Sequence, residues 1–207
     1  MITTGKHGKI TLLDGGMGRE MLRMGAPFRQ PEWSALSLMQ APGLVKKAHE
    51  LFAAAGSDIL TTSNYAVVPF HLGKERFLAE GAELTTRAGR LTREAATPFN
   101  CLVAGSIPPL FGSYRPDLFV PEQAPPLLKI IIDSLSPHVD LWIAETVSSI
   151  AEAREIAEAL SSDNRPLWIS FTILDNGSNL DNVPHLRSGE DLIDAVRDTN
   201  ELHTATI

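Results

Sequence analysis

The chain has 207 residues and a formal net charge of −7, which argues against nucleic acid or an anionic membrane as its main partner, because phosphate surfaces are bound through a basic face. Its 43% hydrophobic and 21% charged residues fit one soluble domain over 1–207, and no apolar run approaches the roughly 18 residues of a membrane span. A single cysteine excludes an internal disulfide, and the first nine residues lack an apolar leader, so a reducing, cytoplasmic location is expected.

In chain order, a short apolar strand at about 10–13 runs into Asp14-Gly15-Gly16-Met17-Gly18, followed by an irregular stretch over 15–41. A helix opens at Pro42, carries Leu44, Val45, Ala48, Leu51, Phe52 and Ala55 on one face, and stops at Gly56. A strand at 58–62 ends in Ser63-Asn64-Tyr65, and a helix follows over 75–95 with Phe77, Leu78, Leu84, Ala88, Leu91 and Ala95 apolar. The next strand, 101–104, is closed by Gly105-Ser106, and a second irregular stretch fills 105–123. Pro125-Pro126 opens a helix over 124–135, and the strand at 139–144 is closed by Glu145-Thr146. Ser149 and Glu152 have the spacing of a capping box, before a helix burying Ala153, Ile156, Ala157 and Leu160. A strand at 167–172, a helix after Ser188 with Leu192, Ile193 and Val196 inward, and the start of another strand at Thr204-Ala205-Thr206-Ile207 complete the series.

Strict β-α alternation means a mainly parallel sheet. Polar residues close at least four different strands, rather than gathering at one switch point, which favours a (β/α)8 TIM barrel over a doubly wound sheet. Five βα units and the start of strand six fill the chain, and eight would need about 300 residues, so a partial barrel is expected. Leu12, Leu60, Val103 and Trp168 or its neighbours are expected on the barrel interior, and open barrel edges would favour self-association.

Asp14-Gly15-Gly16-Met17-Gly18 makes a poor phosphate loop. Met21 stands where the dinucleotide fingerprint needs glycine, and no Gly-Lys-Ser/Thr follows. Asp14 suits an ammonium or hydroxyl with the Gly15-Gly16 backbone close by, or it caps a tight turn. Glu145 at a strand end needs a partner, either an arginine in the mouth or a cationic ligand. Asn64 can orient a carboxylate or hold a turn. The loops carrying Trp33, Ser106 and Tyr114 suit a pocket wall or ordinary rim packing. No lysine ends a strand, which disfavours a Schiff-base aldolase, and the histidines show no metal-site spacing. His49, on a helix, and the lone Cys101 read as structural.

Five pieces in order then resemble the homocysteine S-methyltransferase family of zinc-dependent homocysteine-binding barrels. They are Leu13-Asp14-Gly15-Gly16-Met17-Gly18, Pro31-Glu32-Trp33-Ser34-Ala35, His49 through Tyr65, Ala104-Gly105-Ser106 with Gly112-Ser113-Tyr114, and Trp142-Ile143-Ala144-Glu145-Thr146. The resemblance implies methyl transfer from S-methylmethionine or a similar onium donor to homocysteine, giving methionine. It implies substrate contacts at Asp14, Gly15, Gly16, Asn64, Glu145 and Thr146, with Asp14 and Glu145 on the amino group. It also implies zinc, which would deprotonate the substrate thiol. The family's zinc cysteines have no counterpart in this sequence and are expected beyond Ile207, in a parent protein of which this chain is a C-terminally truncated part. Two other readings stay open: an inactive fragment that at most binds an amino acid, and an unrelated barrel lyase with Glu145 as base.

Overall fold

The computed structural model describes residues 10–175, 183–201 and 205–206. Five parallel strands form one sheet in sequence order: β1 (Ile59–Thr61), β2 (Leu102–Ile107), β3 (Leu141–Val147), β4 (Leu167–Phe171) and β5 (Ala205–Thr206). Helix α1 (Met17–Arg23), α2 (Ser34–Gln40) and α3 (Pro42–Ala54) precede β1. The crossovers carry α4 (Pro69–Leu72) and α5 (Lys74–Ala96), then α6 (Ala124–Leu135), α7 (Ile150–Ala159) and α8 (Leu192–Glu201). Neighbouring strands are always consecutive in sequence. With right-handed crossovers, that order keeps every helix on one face of the sheet, the winding of a (β/α) barrel; a doubly wound sheet requires a reversal.

The strands are apolar on both faces, with a period of two that shifts in β3 between Ala144 and Val147. Leu60, Val103, Trp142, Ala144, Leu167 and Ile169 face the helix layer. Ile59, Ala104, Leu141 and Ile143, with Leu102 and Trp168, form a smaller cluster on the opposite face. This corrects the expected interior set. Leu60 and Val103 point to the helices, while Trp168 points inward. A continuous apolar run carries no parity signal, so the sequence could not decide it.

Several local expectations change as well. The strand expected at 10–13 is a single parallel bridge, Leu13 to Ile59. Part of its pairing passes through a side chain, because Leu12 N–H donates to Asp58 Oδ2 at 2.9 Å. The stretch 15–41 contains α1 and α2, each of seven residues. Strands β2 and β3 run on through Gly105-Ser106 and Glu145-Thr146, and β3 is irregular between Ala144 and Val147. On α8, Ala195 and Thr199 are buried and Ile193 is exposed. The expected capping box is formed: Glu152 N–H donates to Ser149 Oγ at 3.2 Å, and Glu152 Oε2 accepts from Ser148 N–H at 2.6 Å. Residues Thr204 and Ile207 of the last expected strand lie outside the described residues. Among the described residues, no helix is long and apolar enough to cross a membrane.

Candidate active site

The period of two decides which side chains reach the strand ends on the inner face. Continuing the inward row from Ile59 leads to Thr61 and Ser63; from Ile143 it leads to Glu145, and from Trp168 to Ser170. All of these line one cavity of about 990 Å³, together with the loop from Leu13 to Gly18.

Asp14 Oδ2 accepts from the Thr61 amide at 3.0 Å. Burial pushes its carboxyl up to about 6, against the opposing pull of the Thr61 hydrogen bond. Glu145 accepts a short hydrogen bond from the Ser106 hydroxyl. Burial raises Glu145 above the usual carboxylate range, and the Asp14 charge adds to that. Among the described residues, no lysine or arginine side chain lines the cavity. Two acids from different strand ends thus face one space without a protein cation between them.

A ring of hydrogen bonds holds Glu145 from behind. The Ser106 amide donates to Thr62 Oγ1 at 2.9 Å, the Thr62 hydroxyl to Asn64 Oδ1 at 2.7 Å, and Asn64 Nδ2 to the Ser106 carbonyl at 3.0 Å. Asn64 and Ser106 are fully buried. They stand behind the cavity wall, not on it, and their polar groups are committed to this ring and to Glu145. Tyr65 ties three strand ends together: its hydroxyl pairs with Ser113 Oγ at 2.8 Å and donates to Thr146 Oγ1 at 3.1 Å.

The outer half of the cavity is aromatic. Phe28 and Trp33 meet edge to face with centroids 5.6 Å apart, and Tyr65, Phe70 and Tyr114 complete the wall. Trp33, Tyr114 and Thr146 all have left-handed backbones, with φ of 48°, 63° and 60°. Asn100, which ends the turn after α5, is the other non-glycine residue of this kind among the described residues. Such conformations cost on the order of 1–3 kcal/mol each and persist where surrounding structure imposes them, which marks this rim as a site.

Gly15 and Gly16 both line the cavity. Gly15 is small for a packing reason: an added Cβ would lie 2.7 Å from Cε1 of Phe52 on α3. His49, read from the sequence as structural, is fully buried, and its Nδ1 lies 3.9 Å from Asp14 Oδ2, a proximity the sequence does not show. Thr61 and Ser63 directly continue the apolar run of β1; Phe28 lies in a loop, and Phe70 and His71 lie on the four-residue α4, too short to give a periodic signal. Cys101 is buried away from the cavity, and its thiol donates to the Ser57 carbonyl at 3.1 Å. Among the described residues, no group of three His, Cys, Asp or Glu side chains is placed to hold a metal ion.

The family model for homocysteine S-methyltransferase matches residues 11–207. Homocysteine S-methyltransferase 1 of Brassica oleracea var. italica is 27% identical over 95% of this chain and 67% of its own length. The homocysteine S-methyltransferase of Escherichia coli (strain K12) is 28% identical over 90% of this chain and 64% of its own length. The chain thus spans about two thirds of the length of these curated relatives. The metallated form of the homocysteine methyltransferase MmuM from Escherichia coli superposes with a TM-score of 0.80 at 27% identity, covering 93% of this chain and 71% of that one. The match extends over nearly every residue, the barrel winding agrees, and an unrelated lyase is left without support: the chain belongs to the homocysteine S-methyltransferase family.

Proposed function

We propose that this chain builds the amino-acid half of a methyl-transfer site, in which homocysteine sulfur takes a methyl group from S-methylmethionine or a similar onium donor. The observation that carries the reading is the pair of buried acids, Asp14 and Glu145, facing a cavity without a lysine or arginine. An ammonium group between them offsets both desolvation costs and makes charge-assisted hydrogen bonds. The aromatic wall of Phe28, Trp33, Tyr65 and Tyr114 suits the second ligand, since a sulfonium is attracted to ring faces. With that donor, the methyl carbon leaves one sulfonium sulfur and bonds to the thiol sulfur, giving two methionines and a proton.

The role of these residues is to bind and orient. Asp14 and Glu145 fix the amino end, the Gly15-Gly16 backbone and Thr146 flank it, and the rings exclude water from the methyl path. Zinc, expected from the resemblance, finds no fitting set of side chains among the described residues, and no step is assigned through it. Amino-acid recognition and turnover are therefore tested separately. Calorimetry on the purified chain should show homocysteine binding well above 4-mercaptobutanoate, which keeps the thiol and carboxylate but lacks the amino group. Equal affinities would overturn the assignment of the two acids. Methionine formation from homocysteine and S-methylmethionine then reports on transfer itself.

A further inference from the structure

His49 lies on α3, fully buried behind Asp14. Its Nε2 is 3.1 Å from Thr92 Oγ1, and the Thr92 hydroxyl donates to the Ala88 carbonyl at 2.9 Å. Thr92 has one proton to give and has given it, so the ring contact is Nε2–H donating to Thr92 Oγ1. This pattern assigns the ring proton to Nε2 and leaves Nδ1 as an acceptor. Nδ1 has no hydrogen-bond partner. It faces Asp14 Oδ2 at 3.9 Å, beyond hydrogen-bond length. Two acceptors facing each other away from water are unfavourable; a proton on Asp14 converts them into donor and acceptor.

We propose that His49 is the positioning residue of Asp14: its Nδ1 accepts from the protonated Asp14 carboxyl when the cavity is empty and disfavours the carboxylate, which a ligand ammonium then stabilises. The arriving ammonium takes over the carboxylate, and the displaced proton leaves to solvent. A small rotation of the Asp14 side chain closes the 3.9 Å gap in the empty state.

Burial supports this by disfavouring both charges, holding His49 down to about 3 and Asp14 up near 6. The surrounding elements offer no competing partner. On α1, Glu20 pairs with Arg23; on α3, Lys46 and Lys47 pair with Glu50. On α5, Arg76 pairs with Glu32 and Glu80, Arg87 with Glu83, Arg90 with Glu94 and Arg93 with Asp140; Arg19 on α1 is exposed, and α2 and β1 carry no charged residue. Across the cavity, Glu145 is the acid that feels Asp14, and its charge reinforces the preference for a protonated pair. The link to function rests on Asp14 being the ammonium anchor; the proton linkage itself does not.

The test therefore uses the ligand-free chain. In His49→Gln, the amide nitrogen takes the place of Nε2 and keeps the bond to Thr92, while the acceptor opposite Asp14 is deleted. Carbon-13 NMR of the side-chain carboxyls, with Asp14 assigned by its loss in Asp14→Asn, gives the titration midpoint. The expected result is a midpoint lower by about half a pH unit or more in a variant that still melts cooperatively. An unchanged midpoint in folded His49→Gln overturns the proposal. Should that variant not fold, imidazole nitrogen-15 shifts of the unaltered chain decide. A bare Nδ1 whose signal moves through the Asp14 midpoint supports it; a proton on Nδ1, or a signal indifferent to Asp14, overturns it. Failure of homocysteine to bind would leave both measurements standing.

Discussion

At the level of single residues, the proposed recognition of an ammonium by Asp14 and Glu145 depends on how reluctantly they ionise. Both are raised by burial, Asp14 to about 6, and each is usable as an anchor only when charged. The substrate's ammonium stays protonated across this range, so affinity should climb with pH as the acids ionise. Homocysteine titrations at pH 5 and pH 7 should differ by about tenfold from Asp14 alone, with weaker binding at pH 5. A flat profile would show that the acids are already ionised at pH 5. Glu145→Gln keeps the shape and can still accept from Ser106, but removes the charge. It should weaken homocysteine by about 1.5–3 kcal/mol, read by calorimetry. Trp33 lines the aromatic end, where the sulfonium donor is proposed to sit. Trp33→Ala should cost the sulfonium donor about 0.5–2 kcal/mol, seen as a raised KM, with homocysteine affinity unchanged.

At the level of elements, the close approach of strand to strand sets the geometry of the mouth. Gly105 on β2 faces Trp142 on β3, and an added Cβ would lie 2.7 Å from the Trp142 ring. That ring is fully buried, with Arg165 4.9 Å from its centroid and its Nε1–H donating to Asp163 at 3.0 Å, so it has no room to yield. Gly105→Ala should therefore destabilise the chain by about 1–3 kcal/mol in chemical denaturation. It should also disturb Glu145, whose hydroxyl partner is the next residue, Ser106. These same elements show what a sequence can carry. Helices α3, α5, α6 and α7 were legible because their apolar spacing, prolines and capping residues are local signals. Strand existence was legible, but strand length and parity were not. Gly105-Ser106 and Glu145-Thr146 look like terminators, yet inter-strand bonding carries both pairs inside β2 and β3. Helices α1 and α2 escaped notice because seven residues give too short a period to read.

For the whole molecule, Asp14 and Glu145 were legible as acids after apolar runs, and the resemblance joined them. Their matching strand-end positions already pointed to one mouth, whereas the partners of each acid depend on strand order and on the inward row of each strand. The cavity wall is assembled from β1, β3, β4 and four stretches outside the sheet, and no single stretch of chain holds enough of it to work alone. The bonds that shape it are correspondingly non-local: Asp14 to Thr61, Asn64 to Ser106, Tyr65 to Ser113 and, across 81 residues, Tyr65 to Thr146. Each of these closes a long loop, whose entropy must be overcome before the contact gives anything back. The cavity therefore exists only when the sheet is complete. A ligand that requires the whole mouth raises the barrier to every opening that separates these strands, and its grip is shared by residues that never touch it. Occupancy at a hundred times Kd would add about 2.7 kcal/mol to global stability, and slow amide exchange in β1, β2 and β3 together instead of at one loop.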